Sequence, residues 1–204
     1  MVKIIKAVDL NTNLLYSENL IKFLKVFFDI CILGVCSDKN IDILDNHENI
    51  ILRKKYGALV GLNIQDSKNK NLFLTSSIFK GNIDENFHNV DILTISSLNN
   101  IKSLLKKYNG KNIGIEFLIS DLKYYDNNEL GKWFFNLKWI YELCKKYNFQ
   151  FILSSGANMY SELISSKVFN TILRKMDIEN IAYWIDLNIW LDDKKKGGIY
   201  YDTH

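Results

Sequence analysis

Two hydrophobic periods alternate along this chain, and their alternation restricts the fold more than any other feature. Short runs in which almost every residue is apolar ("KIIKAVDL", "ICILGVCS", "LFLTSS", "DILTISS", "NIGIEFLIS", "FQFILSS") are separated by segments whose apolar residues return every three or four positions. A continuous apolar run is the mark of a strand buried on both faces, and the longer period marks a helix with one wet face. Strands of that kind need helices over them, so the pattern predicts a parallel sheet in an α/β fold.

The first helical segment, "SENLIKFLKVFF", places Leu20, Phe23, Leu24, Phe27 and Phe28 at helical spacing, with Ser17 as N-cap and Glu18 in the first turn. "NNIKSLLKKYN" carries Ile101, Leu104, Leu105 and Tyr108 on one face, and Gly110 follows where a left-handed residue commonly ends a helix. The longest helix is expected over "NNELGKWFFNLKWIYELCKKYN", and another after "SSGA". "NIILRKKYGALVGLNIQ" reads as two strand pieces separated by "RKKYG", and "IENIAYWIDLNIWLDD" fits strand or helix. Seven or so strands in 204 residues make a small TIM-like (β/α) barrel, a single domain over residues 1–204. An open doubly wound sheet is the competing architecture, but no glycine-rich nucleotide-binding motif follows the first strand.

Composition narrows the context. The net charge of +3 neither demands nor forbids a nucleic-acid partner, because a basic face can be hidden in so small a total. No apolar run is long enough to span a membrane, "MVKIIKAVDL" lacks the layout of a signal peptide, and the chain is expected in the cytoplasm. Cys31, Cys36 and Cys144 are odd in number and show no C-x-x-C spacing, which fits buried reduced thiols. His47, His88 and His204 stand too far apart in sequence to suggest a histidine-rich metal site. Proline is absent altogether, and Asn, Lys and Ile are abundant, a bias expected of an AT-rich genome.

In a (β/α) barrel the functional edge is the C-terminal end of the strands. Asp9, Glu116 and the "SSGA" turn at Ser154–Ala157 are expected there. Asp9 and Glu116 could share a metal or a proton, or each could be a hydrogen-bonded polar group in the barrel mouth. The turn could hold a phosphate on its free N–H groups, or it could simply be a tight strand-to-helix connection. "VDLNTN" weighs against a metal centre. Many metal-dependent phosphoesterases end their first strand as Asp-x-His-x-His, and here the two histidine positions are Asn11 and Asn13, whose amide oxygens are weak ligands.

"VDLNTN", "NVDILTISS", "GIEFLISDL" and "FILSSGANMYSELISSKVFNTIL" resemble, in that order, the barrel-shaped protein subunit of archaeal and eukaryotic ribonuclease P, called protein component 3 in archaea. The resemblance spans roughly residues 3 to 176. Its most specific piece is Ser154–Ala157 followed by Glu162 and Leu163. It implies a barrel related to that of the polymerase and histidinol phosphatase (PHP) enzymes, with catalysis carried by the RNA and no cofactor bound by the protein itself. It further implies ribonuclease P RNA, protein component 2, other protein subunits and precursor tRNA as partners, and a magnesium requirement that belongs to the RNA. Ile164 departs from the pattern, since a basic residue is expected after "SEL". A metal-dependent phosphoesterase on the same barrel is the alternative.

RNA contact falls to cationic surface, for which the candidates are Arg53, Lys54, Lys55 and Tyr56, then Lys106 and Lys107, then Lys194, Lys195 and Lys196, with Ser155 and Gly156 as the phosphate-holding turn. Residues 194–204 read as an exposed or loosely docked tail.

Overall fold

The computed structural model describes residues 5–14, 18–36, 49–55, 72–126 and 129–197. Seven parallel strands form one sheet in sequential order: β1 (Val8–Thr12), β2 (Ile32–Cys36), β3 (Ile50–Lys55), β4 (Leu72–Phe79), β5 (Ile92–Ile95), β6 (Gly114–Leu118) and β7 (Gln150–Ser154). Helices α1 (Glu18–Phe23), α2 (Ile101–Lys107), α3 (Leu130–Lys146), α4 (Ser166–Lys175) and α5 (Asn180–Gly197) accompany them. This is the α/β, TIM-like barrel expected from the alternation.

The apolar runs do what two-sided burial requires. Every residue of β1 and β5 is buried, and the core joins the strands to the inward faces of the helices through residues such as Trp133, Leu137 and Ile140 of α3. The stretch "IENIAYWIDLNIWLDD" resolves as α5, which continues through Lys194–Lys196 to Gly197, so the first residues of the expected tail are helical. "RKK" also differs from expectation: Arg53, Lys54 and Lys55 belong to β3 and pair with Leu74, Thr75 and Ser76 of β4. An apolar run of only three residues conceals a longer strand, in which Arg53 turns into the barrel interior. Ser17, Tyr56, the second piece "ALVGLNIQ" and residues 198–204 lie outside the described residues.

Closure between β1 and β7 is incomplete as a ladder and is made in two ways. At the C-terminal end the backbones meet directly: Gly156 N donates to Asn11 O at 3.0 Å and Asn13 N to Ala157 O at 2.9 Å. Lower down, α5 takes over. The Tyr183 hydroxyl accepts from Leu153 N at 2.9 Å, and Asn188 Nδ2 donates to Lys6 O at 2.8 Å. The helix then crosses the N-terminal ends of later strands, where Trp190 Nε1 donates to Asn112 Oδ1 and Lys194 pairs with Asp91 at 2.6 Å. Buried backbone N–H groups must find a partner, and Tyr183 serves a strand, β7, that among the described residues has no strand neighbour at that level.

Tyr183→Phe is expected to destabilise the protein by about 1–3 kcal/mol, because it strands the Leu153 N–H in a buried seam. Urea unfolding checks the magnitude, and faster amide exchange at Leu153 than at its β7 neighbours checks the cause.

Candidate functional site

A single layer of polar side chains fills the barrel near its C-terminal edge, and it is built around an arginine. Arg53 of β3 is 2 % exposed and Glu116 of β6 is fully buried. They form a two-pronged ion pair: Nη1 to Oε1 at 2.6 Å and Nη2 to Oε2 at 2.9 Å. Nη1 also donates to Leu10 O at 2.8 Å. That carbonyl belongs to an irregular stretch of β1, where the register with β2 slips between Asp9 and Thr12 and Asn11 N turns to Asp9 Oδ1. Such bulges redirect backbone groups. Here the redirected carbonyl lies within reach of the guanidinium.

Glu116 collects three further donors. Thr94 Oγ1 lies 2.6 Å from Oε2, Asn11 Nδ2 lies 2.9 Å from Oε2, and Ser154 Oγ lies 2.7 Å from Oε1. A carboxylate has about four lone-pair sites, so two donors on one oxygen and three on the other saturate it. Burial alone would raise the Glu116 pKa, but the facing Arg53 charge and these hydrogen bonds hold the carboxyl below its usual range. Burial likewise works against the Arg53 charge, and Glu116 outweighs it. Of the guanidinium nitrogens only Nε is without a partner among the described residues.

Asp9 is the second carboxylate of the layer, and its situation is the reverse. It is 1 % exposed and accepts Ser155 N at 3.0 Å and Asn11 N at 3.3 Å. Burial pushes its pKa up to about 6, with the neighbouring Glu116 charge adding to the rise and the bonds from Ser155 and Asn11 opposing it. The two carboxylates therefore do not behave as a matched metal-binding pair, since one is saturated by an arginine and its hydroxyl and amide neighbours. Among the described residues no cluster of three or more His, Cys, Asp and Glu is placed to hold a metal ion.

The two asparagines divide. Asn11 is buried between Glu116 and Cys36, whose Sγ donates to Asn11 Oδ1 at 3.4 Å. Asn13 is exposed on the rim and clips Asn158 Oδ1 at 2.7 Å.

The "SSGA" turn corrects the expectation attached to it. Ser155 and Gly156 are buried, and the N–H groups that would have cradled a phosphate are spent within the fold. Ser155 N goes to Asp9, Gly156 N to Asn11 O and Ala157 N to Ser155 Oγ. The next amide, Asn158 N, goes to Glu162 Oε2, which fixes the glutamate of the "SEL" piece as a rim brace. Gly156 adopts φ +68°, and a Cβ there would stand 2.4 Å from Ser120 Oγ, so both conformation and space demand glycine. The turn closes the barrel.

Arg53 is corrected in the same way, from surface contact to buried ion pair. The side chains of Lys54 and Lys55 and the whole of Tyr56 lie outside the described residues. In the last basic run Lys194 is tied to Asp91, Lys196 lies 3.8 Å from Asp193, and Lys195 is exposed. Sequence reasoning missed Arg53 as the hub, although one signal was present. Arg53 and Arg174 are the only arginines among 26 cationic residues. In a chain this rich in lysine, an arginine directly after "IIL" suggests planar, two-pronged recognition of a carboxylate, which lysine does not provide.

Removing one partner of the pair leaves a buried, uncompensated charge, so Arg53→Met or Glu116→Leu is expected to cost about 3–5 kcal/mol. The double variant is expected to recover most of that loss in urea unfolding. Asp9 yields a pH signature. Its folded pKa of about 6 exceeds the unfolded value near 3.8, so the folded state holds the proton more tightly and stability from this group falls as pH rises from about 4 to 6. Asp9→Asn is expected to remove that fall, gaining about 3 kcal/mol at neutral pH and nothing at pH below about 4. Paired melts across that range check it.

No protein-family model matches this chain, and no curated protein matches it. Among solved structures, it is similar to a chain in a cryo-EM structure of archaeal ribonuclease P with mature tRNA. The TM-score is 0.63 with 13 % sequence identity, over 97 % of this chain and 98 % of that one. At this identity the likeness establishes the shared fold.

Proposed function

We infer that this chain is a protein subunit of ribonuclease P, assisting a catalytic RNA in removing the 5′ leader of precursor tRNA, in the role of archaeal protein component 3. The observation that carries the reading is the near end-to-end structural match to a chain of the archaeal ribonuclease P–tRNA structure. It meets the sequence motifs from an independent direction, because the motifs and the fold comparison point to the same particle.

The barrel mouth supports a role other than hydrolysis. A phosphoesterase at this position needs open carboxylate lone pairs to bind metal and polarise a phosphate. Glu116 has none to spare, and Asn11 uses its amide to hold Glu116 in place. On this reading the polar layer is an internal brace, the RNA supplies the chemistry and takes the magnesium, and the protein acts through its outer surface. Its companions are ribonuclease P RNA, protein component 2 and the remaining subunits, with precursor tRNA reached through the complex. Among the described residues no helix is long and apolar enough to cross a membrane.

The test is leader cleavage of precursor tRNA by ribonuclease P RNA at limiting magnesium, with and without this chain and component 2. Stimulation that survives Asp9→Asn is expected. Absence of stimulation in every combination would sink the reading, as would phosphoester hydrolysis by the purified chain alone that Asp9→Asn abolishes.

A further inference from the structure

The positive charge of this chain is not spread evenly. Residues 101–111 carry four lysines and no carboxylate, and residues 130–146 carry four lysines and one glutamate, a net +7. The whole chain is +3, so everything else sums to −4. The two segments are α2 with its following turn and α3, which pack side by side.

Polar contacts fix which flank of each helix faces which neighbour. On α2, Lys107 Nζ donates to Ile83 O in the segment between β4 and β5, so that flank looks away from α3. Lys102 and Lys106 are one turn apart, on the other flank. On α3, Lys138 pairs with Asp177, just beyond the end of α4, so that flank looks toward α4. Lys132, Trp139 and Lys146 recur every seven residues on the opposite flank, toward α2. The groove between the two helices is thus bordered by Lys102 and Lys106 on one side and by Lys132 and Lys146 on the other. All four lysines are exposed, and Trp139 is half-buried between them. Two exposed carboxylates stand beside these lysines: Glu129, 3.7 Å from Lys132, and Glu142, one helical turn before Lys146.

Helix electrostatics explains only half of this. Lys106 and Lys146 sit in last turns, where a cation offsets the helix dipole. Lys102 and Lys132 sit in first turns, where the same dipole disfavours a cation, and neither helix has an acidic residue there. Two rails of cations with packed helix axes roughly 8–10 Å apart can engage successive phosphates of one strand from both sides.

We propose that the α2–α3 groove is the RNA-docking surface of this protein, taking the phosphate backbone of structured RNA without reading sequence. The choice of RNA as occupant rests on the ribonuclease P reading; the groove itself rests on the placement of its lysines. Backbone contacts of this kind release counterions, so affinity falls with salt by a slope of about 0.7–0.9 per phosphate neutralised.

The experiment is a salt titration, from low salt upward, of binding to a labelled RNA duplex. Three proteins are compared: wild type, Lys102→Gln/Lys106→Gln/Lys132→Gln/Lys146→Gln, and Lys25→Gln/Lys80→Gln/Lys167→Gln/Lys175→Gln. The last removes the same charge from exposed lysines elsewhere, and circular dichroism verifies that all three fold. The groove variant is expected to lose about 2–4 from the slope, and the control to keep the wild-type slope. Equal losses in both variants, an unchanged groove variant, or a wild type that fails to bind at low salt would overturn the proposal. Running the leader-cleavage assay on the same proteins separates the two ideas. RNA binding through the groove without any stimulation of cleavage removes the ribonuclease P role and leaves the surface standing; stimulation undiminished in the groove variant does the reverse.

Discussion

The two-pronged bond between Arg53 and Glu116 spans the inside of the barrel, from β3 to β6, and much of the surrounding structure is arranged to make that bond tolerable. Two charges removed from water are costly unless every remaining donor and lone pair is met. The hydroxyls of Thr94 and Ser154, the amide of Asn11 and the displaced carbonyl of Leu10 supply what the ion pair itself does not. These groups come from β1, β5 and β7. A change at the pair is therefore felt around most of the barrel's circumference. The network also specifies register, because slipping any of these strands by one residue would turn its polar side chain out of the layer.

Closure depends on the same layer and on α5. Seven strands leave a seam between β1 and β7 that a continuous ladder does not fill. Above, the "SSGA" turn bonds backbone to backbone while its first serine anchors Glu116. Below, a tyrosine hydroxyl and an asparagine amide from α5 satisfy backbone groups that a further strand would have paired. A helix can substitute for a strand here because Tyr183 and Asn188 carry the polar atoms that a helix backbone has already used internally. This also accounts for the composition of α5, which is apolar around much of its circumference: Tyr183, Trp184, Leu187 and Trp190 are buried, while Ile181, Ile185 and Ile189 remain exposed.

Polar side chains and net charge divide between inside and outside. The mouth of the barrel, where this architecture ordinarily places chemistry, is occupied among the described residues by a polar brace in which only Arg53 Nε lacks a partner. The unevenness in charge lies on the helical jacket, over α2 and α3.

The sequence by itself determined the class of fold. Alternating apolar runs and amphipathic stretches impose parallel strands under helices, because no other arrangement buries both faces of "DILTISS" or "FQFILSS" while wetting one face of α3. It also determined that Asn11 and Asn13 would make poor metal ligands, since that follows from the chemistry of the amide. Only the tertiary structure decided what Arg53 does. A strand of alternating direction can aim an arginine at solvent or into the barrel, and which occurs depends on Glu116, 63 residues away in sequence. The same holds for Ser155 and Gly156, whose small size fits a phosphate turn and a barrel seam equally well until Asp9 and Asn11 claim their N–H groups. That Lys102 and Lys132 lie on neighbouring helices is likewise decided only by the packing of α2 against α3. Local pattern reports which surfaces a segment must bury; partner identity is a long-range property, settled only when distant strands and helices meet.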